Sequence, residues 1–575
     1  MAKQWTFFSR EVEKAREIAE RVRIHPITAH ALINRGIRDA DEARAFLNPS
    51  LAQLGDAFNL KDMEKAVTRI AAAIRSREKI LVFGDYDADG ITGTSILYSF
   101  LKRAGADVRY HLPNRLEDGY GLRSDVVERF RECPFDLLIS IDNGIGSAEA
   151  VARLTEEGID VIITDHHEPG PEIPDAHAVV NPKQESCGYG YRHLTGAGIA
   201  FKLVCALAEG FSPGRRVSSE TREMLNDLIG LAAIGTISDV APLVGENRVI
   251  AHYGLIALER SANPGIRALL SVSGLEEGPV KAQDVGFKIG PRLNASGRMG
   301  DAILAVQLLT AASYAEALSL GERIDRMNAE RQETERAIVE RCRERIASDP
   351  AIRDEPVIVL WDEGWHPGVI GIVAAKLCEE FSRPVVLAAA RGNRARGSCR
   401  SLPGMPILDL LRKCEDLCAS LGGHTYAAGF EIETKRLDAF RERLLARARE
   451  ASEGGAGQAT LAIDLETPLG ELTPELVSDL ERLSPHGEGN PVPVFAVKGA
   501  RVVGEPKTVG RGGAHLSFLL RHGDHSVRAI AFRMGAAIGS LRENRPVSVA
   551  FTPFRSRWRD VESLEVDVKD ILVEP

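Results

Sequence analysis

Lys79-Ile80-Leu81-Val82-Phe83-Gly84-Asp85-Tyr86-Asp87-Ala88-Asp89-Gly90 is the stretch on which the fold turns. An almost unbroken apolar run is followed at once by three carboxylates at alternating positions. A run of that length bounded by Gly predicts a strand buried on both faces, as in a parallel sheet covered by helices. Three further runs repeat the theme after amphipathic stretches: Val108-Arg109-Tyr110-His111-Leu112, Leu137-Leu138-Ile139-Ser140-Ile141 and Asp160-Val161-Ile162-Ile163. This strand-then-helix rhythm predicts an α/β domain with a parallel sheet. Ligands of such sheets bind at the carboxyl ends of the strands, so the residues just past these runs are the first place to look for a site.

Alternate residues of an extended segment point the same way, so Asp85 and Asp87 are expected to converge on one cation. The rival is an EF-hand calcium loop, whose opening D-x-D-x-D-G this copies. It fails because the twelfth position is Ile96 rather than Glu, and because a strand precedes the loop. The third run ends in Asp142-Asn143-Gly144, which alone would be an ordinary turn. The fourth ends in Asp165-His166-His167. Three acidic strand ends in one sheet crowd like charges together, and only cations or protons relieve that repulsion. A mixed oxygen and imidazole set suits Mn²⁺ or Mg²⁺ better than structural Zn²⁺. Asp239 closes the apolar stretch 228–237 and is a fifth candidate, although a carboxylate there also fits a simple helix end.

The chain has 575 residues, 27% charged and 44% hydrophobic, which implies two to four folded domains and excludes a largely disordered protein. Its eight Cys are scattered without a CxxC pair and read as reduced thiols. The N-terminus lacks a secretory pattern, and no apolar run reaches the roughly 20 residues needed to span a bilayer, so a cytoplasmic protein without a membrane partner is expected. No GxxxxGK[ST] loop is present, which argues against an ATP-driven motor. Residues 1–312 are expected to form the first domain, with its sheet from about 79, and 313–348 a long connecting helix. Residues 349–451 read as a second α/β domain, 452–457 as a Gly-rich linker, and 456–575 as a domain containing a small β-barrel. Between 498 and 559 there are twelve Lys or Arg against Glu505, Asp524 and Glu543, a local +9 inside a chain of −10. Phe518, Phe532, Phe551, Phe554 and Trp558 lie among these charges. Basic grooves with aromatic platforms hold single-stranded nucleic acid, although most of these rings also suit a barrel core.

The four acidic segments, Asp85-Tyr86-Asp87-Ala88-Asp89-Gly90, Asp142-Asn143-Gly144, Asp165-His166-His167 and Ser238-Asp239, resemble the successive motifs of the DHH phosphoesterase superfamily. The resemblance implies that Asp85, Asp87, Asp142, His166 and Asp239 bind two divalent cations, Mn²⁺ or Mg²⁺, with Asp142 bridging. It implies that Asp165 orients an imidazole, that His167 faces the scissile phosphate, and that Asp85 or Asp89 accepts a proton from water. Leu81, Val82 and Phe83 stand where some members carry a histidine, which leaves one cation fewer protein ligands. Arg396-Gly397-Ser398-Cys399-Arg400-Ser401 and Gly422-Gly423-His424 resemble the DHHA1-like companion domain, which implies that Arg396, Ser398, Arg400, Ser401, Gly422, Gly423 and His424 hold a terminal phosphate. A Gly-Gly-His triplet alone fits any loop. Gly290-Pro291-Arg292-Leu293-Asn294-Ala295-Ser296-Gly297-Arg298 and His366-Pro367-Gly368 are similar to segments of the bacterial single-strand exonuclease branch, which implies substrate contacts for Arg292, Asn294, Arg298 and His366. Ser484-Pro485-His486-Gly487 resembles the start of that branch's OB-type barrel.

The fold implied is a DHH-type parallel-sheet domain, a connecting helix, a DHHA1-like domain and an OB-type barrel. The function implied is two-metal hydrolysis of single-stranded DNA from the 5′ end to 5′-mononucleotides, in DNA repair and recombination, with a helicase and a single-strand-binding protein as partners. Two alternatives are a phosphodiesterase for short RNA or cyclic dinucleotides, to which the basic barrel is surplus, and a non-catalytic DNA-binding scaffold, which has no need of every acidic motif.

Overall fold

The computed structural model describes residues 3–115, 121–124, 134–211, 217–402, 404–451, 460–541, 545–558 and 561–574. The linker 452–457, Cys133, Arg542, Glu543, Arg559 and the side chain of Trp558 lie outside the described residues. The seven described cysteines are free thiols. No helix among the described residues is long and apolar enough to cross a membrane.

The chain divides into two compact units. The larger holds two sheets. In the first, the predicted runs become the strands Lys79–Gly84, Asp107–His111, Leu137–Ile141 and Asp160–Thr164, joined by a fifth, Ala178–Val180. All pair in parallel, and Lys79–Gly84 lies between Asp107–His111 and Leu137–Ile141. The connections therefore diverge on either side of Lys79–Gly84, which opens a crevice at its carboxyl end. Leu81, Phe83, Leu138 and Val161 on one face and Ile80, Val82, Ile139 and Ile162 on the other are all buried, as a sheet covered on both faces requires. A 35-residue helix, Tyr314–Ser348, leads to the second sheet. That sheet is mixed, with the order Cys418–His424, Ala427–Glu433, Arg394–Arg400, Val385–Arg391, Ile358–Asp362.

The smaller unit contains the barrel. Strands Phe495–Val509, His515–His522, His525–Ala531, Val561–Val573 and Val547–Trp558 pair in that order, and the last returns to the first, closing five strands on themselves. Closure removes exposed edges, and the parallel pairing of His525–Ala531 with Val561–Val573 is the OB arrangement. Of the five aromatics noted above, Phe518 and Phe551 are core, whereas Phe532 is 52% exposed.

The residues up to Gly55 and Val240–His252 belong to this barrel unit, which departs from the linear division expected at residue 312. The reason is a shared core: Ile18, Ile27, Leu32 and Phe46 pack in one apolar cluster with Leu476, Leu480, Leu483 and Phe495. Arg248 fixes the same unit through polar contacts. Its buried guanidinium donates to five carbonyls, those of Phe46, Arg482, Leu483, Ser484 and Pro485, and lies 3.8 Å over the Phe46 ring. The Ser484-Pro485-His486-Gly487 motif is thereby explained as a turn wrapped around a cation. Burial, together with nearby Arg35, lowers the Arg248 pKa to about 10, so the side chain stays charged at neutral pH. Arg248→Met leaves those carbonyls without donors, and the expected loss is about 3–5 kcal/mol in urea unfolding of this unit. A loss below about 1 kcal/mol would show that water replaces the guanidinium.

Candidate metal centre and phosphate-binding cleft

Gly84, Ile141 and Thr164 are neighbours in register across three strands, so Asp85, Asp142 and Asp165 emerge side by side at the carboxyl ends. Asp85, Asp87 and Asp142 each place an oxygen within 4.8 Å of the others, as do ligand atoms of Asp89, His166 and Asp239. His166 Nε2 lies 3.0 Å from Asp142 Oδ1, 3.8 Å from Asp89 Oδ2 and 3.9 Å from Asp239 Oδ2. Asp142 belongs to the first group and touches the second through His166, the placement a bridging ligand requires. Its φ is 64°, a left-handed conformation costly for a side chain other than Gly. Gly196 permits it: a Cβ there would stand 2.5 Å from the Asp142 Cβ.

The electrostatics fit divalent cations. Asp85 Oδ1 and Asp142 Oδ1 are buried without a hydrogen-bond partner. Burial, reinforced by neighbouring carboxylates, raises the pKa of both well above the ordinary range. The same causes raise Asp239 to about 8 and Asp89 to about 7. Burial lowers His166 to about 3, so its imidazole is neutral and able to ligate. Four acids held where protons would otherwise collect, beside an imidazole that rejects one, make a donor set suited to hard or borderline cations.

Asp165 works differently. Burial opposes its charge, but its Oδ1 accepts from His167 Nδ1 at 2.7 Å and from the backbone N–H groups of His166 and His167, while Oδ2 accepts from Ile145 N–H. The balance lowers its pKa, so the carboxylate is ionised and the proton sits on His167 Nδ1. Burial disfavours the His167 cation, but Asp165 outweighs it and the imidazole pKa is raised. His167 lines the cleft described below, with Nε2 as its remaining ring nitrogen.

Two readings from the motif need correction. The chain turns helical at Ala88, so the strand alternation stops at Asp87, which caps the helix Ala88–Arg103 by accepting from Asp89 and Gly90 N–H. Asp89 is then carried to another face, where its two oxygens accept from the backbone N–H groups of Gly196 and Ala197. Held there, Asp89 keeps its carboxylate beside His166 and Asp239. The second correction concerns the helix Gly290–Arg298. Asn294 Oδ1 accepts from Ala88 N–H, and Gly297 packs so closely that a Cβ would lie 2.1 Å from the Tyr86 carbonyl. Arg292 donates to Asp325, and Arg298 to the carbonyl of Gly368. His366 Nδ1 accepts from Gly368 N–H. These four residues do not line the cleft; they shape the acidic loop and seat the second sheet against it.

A cleft of about 1070 Å³ runs from the acidic cluster to the second sheet. Asp85, Asp87, Asp165, His167 and Asp239 line one wall, and Arg396, Ser398, Arg400, Gly423 and His424 the other. Alternation along Arg394–Arg400 puts Arg396, Ser398 and Arg400 on one face, with Ala395 and Cys399 buried on the other. Arg396 is partly neutralised by Glu431 at 2.8 Å, whereas among the described residues Arg400 donates to Ser398 Oγ and the Cys399 carbonyl and pairs with no carboxylate. Ser401 donates its N–H to the Tyr426 carbonyl and its hydroxyl to the Met405 carbonyl, and Gly422 belongs to the same strand as Gly423 without lining the cleft. Arg115 is a cleft residue that no sequence motif singled out. It stacks 4.9 Å over the Tyr86 ring, four residues past the end of Asp107–His111. That strand is the one predicted run without an acidic end, and this difference from its neighbours is the signal that could have pointed to Arg115.

Three family models match the chain: the DHH family N-terminal domain over residues 79–236, the DHHA1 domain over 354–450 and the RecJ OB domain over 463–570. The single-stranded-DNA-specific exonuclease RecJ of Bacillus subtilis is 34% identical over 99% of this chain and 71% of its own length. Its counterpart from Thermus thermophilus is 36% identical over 97% of this chain and 76% of that protein. The crystal structure of RecJ from Thermus thermophilus in complex with Mn²⁺ superposes with a TM-score of 0.84 at 34% identity, covering all of this chain and 80% of that one. Identity at that level over nearly the whole chain has one explanation: the chain belongs to the RecJ family of DHH-domain exonucleases.

Proposed function

We propose that this protein is a metal-dependent exonuclease that degrades single-stranded DNA from the 5′ end and releases 5′-mononucleotides. The observation that carries this reading is the facing of Asp85, Asp87, His167 and Asp239, which belong to the acidic cluster, and the Arg396, Ser398 and Arg400 row across one cleft. Asp85, Asp87, Asp142, His166 and Asp239 would hold two divalent cations, Mn²⁺ or Mg²⁺. Bound there, such ions acidify water and offset charge that develops at phosphorus in an in-line displacement.

The remaining roles belong to the chain's own groups. His167, oriented through Nδ1 by Asp165, presents Nε2 to a non-bridging phosphate oxygen. Asp85, a cleft-lining carboxylate at the end of Lys79–Gly84, takes the proton of the attacking water. Arg400 and His424, with Ser398 and the backbone around Gly423, hold the terminal phosphate and so set the direction of attack. The barrel, with its +9 stretch, retains the strand. We place the enzyme in the cytoplasm in DNA repair and recombination, with a helicase and a single-strand-binding protein supplying and sharing the strand.

Arg400→Ala and His424→Ala are expected to reduce kcat/KM on 5′-phosphorylated strands about ten- to a hundredfold, the scale of a lost charge-assisted contact. Mn²⁺ affinity measured by calorimetry is expected to stay within about twofold. Equal loss on strands with and without the 5′ phosphate would remove these residues from end capture.

A further inference from the structure

Phe287 is 77% exposed, more than any other large apolar side chain among the described residues. It stands in a single π-helical turn, Val285–Ile289, between the short helix Ala282–Asp284 and the helix Gly290–Arg298. A π turn inserts an extra residue into a helix and occurs mostly at functional sites. Here it pushes a ring into solvent, where an apolar side chain contributes nothing to folding.

The turn lies beside the metal centre. Gly290, directly after it, approaches Ser238 so closely that a Cβ would stand 2.5 Å from the Ser238 hydroxyl, and Ser238 precedes the ligand Asp239. The carboxylates beside the turn are neutralised: Asp284 pairs with Lys288 at 2.8 Å, and Asp325 with Arg292 at 2.9 Å. A surface with a projecting ring and its acids already paired does not repel a polyanion. It offers no strong phosphate site either, so the part of a nucleotide it fits is the base.

We infer that Phe287 is a stacking platform for a nucleobase of the strand engaged at the metal centre, and so a determinant of strand retention outside the cleft. This rests on the proposed single-strand exonuclease activity. Stacking of a base on an aromatic ring is tolerant of sequence and contributes on the scale of about tenfold in affinity.

The test compares Phe287→Leu, Phe287→Tyr and Phe287→Trp in the full-length, Mn²⁺-loaded enzyme on a single-stranded 20-mer. Leu keeps the apolar character but has no π face. It is expected to raise KM about tenfold with kcat within about twofold, while Tyr and Trp restore the wild-type KM. Trp is also expected to show fluorescence quenching when the strand is added, beyond that of the four native Trp in the wild type. An unchanged KM for Leu, or a failure of Tyr and Trp to rescue it, overturns the platform while leaving the exonuclease reading intact. A wild-type enzyme that does not cleave the 20-mer overturns both, so the two failures are distinguishable.

Discussion

Asp142→Ala is expected to lower turnover on single-stranded DNA by at least about a hundredfold, the largest effect of any single substitution in the chain, because one carboxylate serves both halves of the acidic cluster. Asp142→Asn is the sharper variant. Asn tolerates the left-handed backbone at this position and fills the same space against Gly196, so the fold is preserved while the charge is removed. Without metal, removal of that charge relieves repulsion from Asp85, Asp87, Asp89 and Asp239, so the thermal midpoint should not fall. With Mn²⁺ the wild type should gain stability that the variant lacks, since a ligand bound only to the folded state stabilises it. Residual turnover above about 1% of wild type, insensitive to chelator, would remove Asp142 from the centre.

The second large effect is expected in the barrel. Deleting it is a poor test, because Ile18, Leu32 and Phe46 share its core and would be stripped bare. Substitution in place avoids this. Lys507, Arg511 and Arg533 are exposed near the His515 end of the barrel, where the Phe532 ring packs 5.3 Å from that of His515. His515 Nδ1 also accepts the Arg533 N–H, which holds Arg533 at a φ of 61° and turns Phe532 outward. If these three cations contact phosphates, replacing all of them by Gln should flatten the dependence of log affinity on log salt by about 2, at roughly 0.7 per contact. Binding of long strands near 0.1 M salt should weaken by about a hundredfold. Mn²⁺ binding in the cleft should be unaffected. An unchanged salt slope in a folded variant would place the strand elsewhere.

The parallel sheet was legible because a strand buried on both faces must be apolar throughout, and Lys79–Gly84 and Leu137–Ile141 are. The acidic residues at strand ends were legible for a related reason: like charges such as Asp85 and Asp142 side by side in a folded chain call for cations or protons. The place of Asp89 was not legible, because the spacing of carboxylates in the sequence continues across the point where the backbone turns helical. A period of two cannot report that change. The contacts of Arg292, Asn294 and Arg298 were hidden for another reason. Their partners, Asp325, Ala88 and Gly368, lie far along the chain, and pairing between distant residues leaves no local pattern. The grouping of the N-terminal helices with the barrel was hidden likewise, since the apolar faces of Ile18 and Leu32 would fit any core.

The measurement that bears most directly on the central claim is the time course of products from one single-stranded oligonucleotide labelled at either its 5′ or its 3′ end, with and without Mn²⁺. With Mn²⁺, the 5′ label is expected to appear at once as a mononucleotide, while the 3′ label passes through a ladder of shortening strands. Without Mn²⁺ and with chelator, both strands should remain intact. Immediate release of the 3′ label as a mononucleotide, internal cuts from the outset, or turnover undiminished by chelator would contradict the account.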